Sequence, residues 1–292
     1  DEVIITELDH EANRGPWRVL EEVGVKLIEV SLLQNGELDY EDFRNKINDK
    51  TVMVCMGMSS NAIGTLNDFI LIKSFLPENC LFLLDAVHYA PHFSINVKEL
   101  GCDFLLCSAY KFYGPHVGFL YSRSGLLEHL ETDRLVVQDQ KAPYIIETGT
   151  LNHASSAGVS AAIDFIANIG DGSSYRDKLI NAFSKISSHE FELAKQLYES
   201  INNLDKINVV GRDFSDTKRT PTVSFVHSDY KPQEICKALA SENICAWDGH
   251  FYALKAIQKL GLEQKGGVTR LGVSLYNTKE EIERVISVIS KL

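Results

Sequence analysis

The 292-residue chain sets 40 Asp and Glu against 29 Lys and Arg, a formal net charge of −11. No basic block offsets that balance, which excludes a phosphate-neutralising nucleic-acid surface. With 45% hydrophobic and 24% charged residues it can bury a sizeable core and is not a disordered chain.

No apolar run approaches about twenty residues, so no membrane-spanning segment is expected, and no signal or transit peptide is recognised. The six cysteines (55, 80, 102, 107, 236 and 245) form no C-x-x-C pair and no zinc-type cluster with histidine. Free thiols in a reducing compartment are expected, with the cytoplasm as default.

In chain order, Val3–Thr6 reads as a strand running into a loop that holds His10, and a helix is expected from Pro16, a residue suited to a first helical turn. The chain is therefore expected to begin in the middle of a fold. Val25–Val30 is a further strand, Gln34-Asn35-Gly36 a turn, Leu38–Ile47 an amphipathic helix and Thr51–Met58 an apolar strand. That strand ends in the polar cluster Ser59–Thr65, which contains Asn61. A helix follows near Phe69–Leu76.

The apolar runs Leu81–Leu84 and Phe104–Cys107 have the form of strands buried on both faces. At carboxyl ends of adjacent strands, where open α/β sheets bind ligands, they place Asp85 and His88, then Ser108, Tyr110 and Lys111 before a Gly114-Pro115 turn. An amine that can form a Schiff base, with a carboxylate to keep a pyridine nitrogen protonated, is what pyridoxal phosphate chemistry needs. Taken alone, an Asp and a Lys at strand ends are ordinary surface residues. A helix over Gly158–Ile169 precedes the punctuation Gly170–Ser174, which divides residues 1–170 from a smaller α+β domain, 171–292. In the second part a long helix carries Leu179, Phe183, Ile186, Leu193, Leu197 and Ile201 on one stripe. Strands are expected at Ile207–Val210, Thr222–Val226 and Ile244–Trp247. A Thr278-x-x-Glu281 capping box opens the closing helix.

The wording DAVHYAPH, followed by CDFLLCSAYKFYGPHVGFLY, resembles the class V aminotransferase and cysteine desulfurase family. The resemblance implies a fold-type I, pyridoxal phosphate-dependent α/β enzyme with a mostly parallel sheet in its large domain. It also implies an opening section, with part of the phosphate site, that precedes this sequence. ELDHEANRGPW resembles the segment whose histidine, here His10, stacks on the cofactor ring and serves as acid/base. By the same resemblance Lys111 carries the cofactor, Asp85 holds its ring nitrogen, and Asn61 and His88 bond its phenolic oxygen. Ser108 and Tyr110 flank the lysine as cofactor-binding residues, with Ser108 suited to donate to phosphate. Thr150 in ETGTLN reaches the phosphate of a neighbouring subunit, which implies a homodimer with shared sites. Arg270, in VTRLGVSLYNT, grips the carboxylate of a small amino-acid substrate.

The sequence departs from the desulfurase pattern where a persulfide-forming cysteine belongs, because Tyr252 stands there. It resembles the desulfurase-like branch without that cysteine, with His250 and Tyr252 shaping the substrate pocket. Cys245, nearby, falls in a predicted strand as a buried, inert thiol. The expected activity is carbon–sulfur lyase, transamination or epimerisation, which share a first carbanion. A desulfurase using another thiol and a catalytically inactive relic of the fold are the alternatives.

Overall fold

The apolar runs pair as strands in the computed structural model, which describes residues 1–217 and 219–292. The first part comprises β1 (Glu2–Thr6), β2 (Lys26–Val30), α1 (Tyr40–Lys46), β3 (Thr51–Gly57), α2 (Phe69–Phe75), β4 (Leu81–Asp85), α3 (Val97–Leu100), β5 (Phe104–Ser108) and β6 (Gly118–Ser122). Its sheet runs β2-β1-β3-β4-β5-β6, parallel as far as β5 and antiparallel at the β6 edge.

Parallel strands need cover on both faces, and alternate residues supply it. Ile4, Val54, Phe82 and Leu84 enter one core, while Val3, Ile5, Cys55 and Leu83 enter the other. Fully burying one such side chain contributes about 1.5–3 kcal/mol. Cys55, Cys80 and Cys102 are buried among them as small hydrophobes, and all six cysteines are free.

Helix limits follow their caps. Asp39 accepts a hydrogen bond from Asp42 N–H at 2.9 Å, so α1 starts at Tyr40 rather than Leu38. The segment Gly15–Val23, expected to be α-helical, winds as a 3-10 helix closed by Gly24 at φ 88°. α4 (His153–Ala167) begins before the expected Gly158, because Asn152 caps it by accepting from Ser155 N–H at 3.0 Å.

The remaining elements are α5 (Tyr175–Asn202), β7 (Ile207–Val210), β8 (Thr222–His227), α6 (Pro232–Ser241), β9 (Trp247–Gly249), α7 (Leu254–Lys259), β10 (Val268–Gly272) and α8 (Lys279–Ile289). They form a second, antiparallel sheet, β7-β8-β10-β9, whose core includes Leu193, Leu197, Phe225, Leu239 and Ile282. Ser174 and Asp177 build a capping box at the start of α5, and Thr278 and Glu281 build one at α8.

The strand expected at Ile244–Trp247 is corrected. Ile244 N–H instead closes the end of α6 on Leu239 O at 3.0 Å, and pairing starts only at Trp247. Cys245 consequently lies off the sheet and is exposed, not buried.

The two sheets meet along a polar seam. Thr220 N–H donates to Gly64 O at 2.8 Å, and Gly64 sits at φ 80°, where a Cβ would come 2.8 Å from Thr222 O. Only glycine serves there.

Candidate active site

Four neighbouring parallel strands, β1, β3, β4 and β5, end at one edge of the first sheet. Beyond them a cleft of about 810 Å³ opens, lined by Asp9 and His10 after β1 and by Ser59 and Asn61 after β3. Asp85, Val87 and His88 line it after β4, and Ser108, Tyr110 and Lys111 after β5. This is the carboxyl-end crevice in which open α/β sheets hold ligands. The second sheet supplies the opposite wall with Trp247–Tyr252 and Arg270.

Asp85 ends β4, half-buried, and accepts from Val87 N–H at 2.9 Å. Burial raises its carboxyl above the usual 3.8, against the lowering effect of that bond. Its strand neighbour delivers Lys111 on a short 3-10 helix, Ala109–Phe112. The Lys111 ammonium lies 5.0 Å from the centre of the Tyr110 ring and makes no hydrogen bond or ion pair among the described residues. Tyr110 in turn stacks on His116, ring centres 4.7 Å apart and planes nearly parallel. The phenol ring fixes the approach to the lysine without adding a second cation.

His10 caps the short helix that follows it, its Nδ1 accepting from Ala12 N–H at 3.0 Å. The acceptor role of Nδ1 leaves Nε2 to carry the proton of the neutral ring. Burial first, and Lys111 second, lower its pKa below 6.5. His88 is pushed further, well below 6.5, by burial and then by His92, Arg270 and Lys111. It is therefore neutral near pH 7, with Nε2 3.0 Å from the Thr222 hydroxyl and 3.3 Å from that of Thr220.

Arg270, on β10, donates from Nη1 to Asn61 O at 2.6 Å and lies 4.0 Å over the Phe251 ring. Burial lowers its pKa to about 10, which leaves it charged at neutral pH with no carboxylate partner among the described residues. A partly buried cation without a counter-ion, facing a cleft, is poised to take an anionic ligand group. The Asn61 amide meanwhile donates to Phe251 O at 2.7 Å, so the first sheet holds the loop of the second. In that loop Phe251 and Tyr252 both have positive φ, 53° and 58°. Such consecutive left-handed residues are costly and occur where a loop is over-determined by its surroundings. Tyr252 is 67% exposed and its ring centre is 5.3 Å from that of His10.

Of the residues singled out in the sequence, Lys111, His10, Asn61, Asp85, His88, Ser108, Tyr110 and Arg270 all line this cleft, as do His250 and Tyr252. Thr150 does not, and is exposed just ahead of α4. Cys245 is also absent from the lining, which contains no cysteine. His92, without an assigned role in the sequence, is buried against Glu190 at 2.7 Å.

Sequence reasoning missed Asp9, Ser59 and Trp247. Asp9 adjoins a residue that was found, yet an acid in a loop carries no signal until its burial is known. The donor set fits pyridoxal phosphate. An amine and a half-buried acid come from adjacent strands, and the Ser59 hydroxyl is buried in the same lining without a hydrogen-bond partner among the described residues.

The aminotransferase class-V family profile matches residues 1–285. A probable cysteine desulfurase of Halalkalibacterium halodurans is 30% identical across the whole chain and 70% of its own length. An aminotransferase-like protein of Gibberella zeae, FGM3, is 32% identical over 98% of the chain and 71% of that protein. Among solved structures, the apo cysteine desulfurase of Thermococcus onnurineus NA1 superposes with a TM-score of 0.88 at 26% identity. The match covers 100% of this chain and 72% of that one.

Proposed function

The chain belongs to the aminotransferase class-V family of pyridoxal phosphate-dependent enzymes, and from that premise we propose that the cleft holds the cofactor on Lys111 and acts on a small amino acid without a catalytic thiol. The observation that carries this reading is the convergence of Asp85, Lys111 and Arg270, from two sheets, on one cleft lined by no cysteine.

Pyridoxal phosphate, when bound, supplies an aldehyde that condenses with amines and a ring that withdraws electrons from the substrate α-carbon. The residues around it divide the remaining work. The Asp85 carboxylate would hold the proton of the ring nitrogen, and Asn61 and His88 would serve the phenolic oxygen. His88 is neutral and so would offer a hydrogen bond without a second charge. Ser108 would donate to the phosphate, with Tyr110 beside the lysine. Arg270 takes the substrate carboxylate in its planar fork. Lys111 and His10 would remove and return the substrate α-proton, and the depressed pKa of His10 keeps it a neutral base near pH 7. Trp247, His250 and Tyr252 form the wall that meets the substrate side chain.

A persulfide route needs a thiol within reach of that side chain. Tyr252 occupies the loop position, and exposed Cys245 lies outside the cleft lining. Lyase, transaminase or epimerase chemistry, all begun by proton removal, accords with this wall. The exposure of Thr150 outside the cleft supports its contribution to a partner's site in a homodimer. Residues 1–170 form the cofactor domain and 171–292 the smaller one in this proposal, and six free thiols accord with the cytoplasm.

The test is borohydride reduction of protein mixed with pyridoxal phosphate, followed by peptide mapping. Covalent pyridoxyl on Lys111 is expected, and its loss in Lys111→Ala. Labelling spread over surface lysines, unchanged by that substitution, would defeat the assignment. Sulfide release from cysteine that disappears in Cys245→Ser would restore the desulfurase alternative.

A further inference from the structure

The floor of the cleft contains two carboxyls, and the reading above uses only one. Asp9 is 3% exposed and lies on the far side of β3 from Asp85. β3 ends at Gly57, the register partner of Asp85. Asp9 Oδ1 accepts from Gly57 N–H at 2.7 Å, and a Cβ on Gly57 would come 2.9 Å from that oxygen. The missing side chain is thus what lets the Asp9 carboxyl lie over the strand end and share the cleft with Asp85.

Among the described residues no cation forms an ion pair with the second acid, and Arg14 acts on it only from a distance. Arg14, the nearest candidate, is spent on Thr6 O, Glu11 and Glu29. Asp9 Oδ2 accepts a longer hydrogen bond from Asn13 Nδ2, at 3.3 Å. From β3 the neighbouring ionisable group is Cys55, whose thiol burial keeps protonated. Two neighbouring buried carboxyls with one short backbone hydrogen bond between strand and acid cannot both ionise cheaply.

We propose that Asp9 is a positioning residue that holds a proton beside Asp85, so that the two-carboxyl floor presents a single negative charge to the cofactor ring. The inference rests on the cofactor reading above only for what the charge is used for. Burial, first, and Asp85 both raise the Asp9 pKa, to about 7, while Gly57 N–H, Thr6 and Arg14 oppose the rise. Its two oxygens also tie Gly57 to Asn13, and so set the loop that carries His10.

The experiment is carboxyl-carbon NMR of cofactor-free protein labelled at aspartate, titrated from pH 4 to 9. One resonance is expected to titrate near 7 and to vanish in Asp9→Asn. In Asp85→Asn its midpoint should fall by on the order of half a pH unit, since one like charge is gone. A second reading keeps the proposal falsifiable if resonances overlap. A raised folded-state pKa favours the protonated fold, so wild-type stability should decline between the ordinary 3.8 and about 7. Asp9→Asn should remove that decline, and an unchanged decline in this variant overturns the proposal. So does an Asp9 already ionised at pH 5. Because both measurements use protein without pyridoxal phosphate, they can succeed where the Lys111 labelling fails, or fail where it succeeds.

Discussion

Replacing Arg270 with methionine separates a cation kept for a ligand from one kept for the fold. Lowering the guanidinium pKa from 12.5 to about 10 by burial corresponds to about 3 kcal/mol spent on keeping the charge in place. Against that stand two gains. The hydrogen bond to Asn61 O, at 2.6 Å, contributes about 1.5–3 kcal/mol as a charged donor. The contact over Phe251, at 4.0 Å, adds about 1 kcal/mol. These nearly cancel, so Arg270→Met should change unfolding free energy by no more than about 1 kcal/mol, since methionine fills the stem's space. The loss should fall on the ligand. A forked pair with a carboxylate worth about 3 kcal/mol means an affinity for amino-acid substrate weaker by on the order of 100-fold. Urea unfolding of the cofactor-free protein and the change in cofactor absorbance on adding amino acids measure the two effects. A destabilisation beyond about 3 kcal/mol, or undiminished affinity, would refute the reasoning by making Arg270 a structural tie between the sheets.

His10 gives a pH prediction. Its pKa lies below 6.5, so the neutral base is complete at neutrality and is lost only as the medium turns acid. Turnover should therefore fall on an acid limb whose midpoint lies below 6.5, and His10→Asn should erase that limb; a limb that persists assigns it to another group. The buried pair His92–Glu190 gives a stability prediction. Glu190 is fully buried, so Glu190→Ala, which leaves the buried His92 ring without this hydrogen bond, should cost about 1–3 kcal/mol by thermal unfolding. Glu190→Gln keeps an acceptor and should cost clearly less, whereas equal costs would show that the hydrogen bond contributes little.

Much of the framework was legible from local rules. The apolar runs Leu81–Leu84 and Phe104–Cys107 were legible as strands covered on both faces, because their length and lack of alternation leave no polar side for water. The Thr278 and Glu281 box announced α8 for a similar reason: an N-cap interaction is made within four residues. The candidate site was legible as far as motif order could carry it, with Asp85 and Lys111 marked by their places after adjacent runs and Arg270 by its surrounding words. Local rules failed where a distant partner decided the outcome. Ile244 has the composition of a strand residue, but its N–H was taken by the end of α6, and Cys245 moved to the surface with it.

The sequence by itself determined where the apolar runs lie, the capping box of α8, and which residues stand at strand ends, since each depends on neighbours along the chain. Only the tertiary structure decided that Asn61 clamps the loop of the second sheet, that Arg270 has no carboxylate partner among the described residues, and that Asp9 reaches the bare end of β3 and lines one cleft with Asp85. The physical reason is common to all three. Desolvation and charge coupling depend on distances through space between residues as much as 209 positions apart, and no local pattern of residue types encodes those distances.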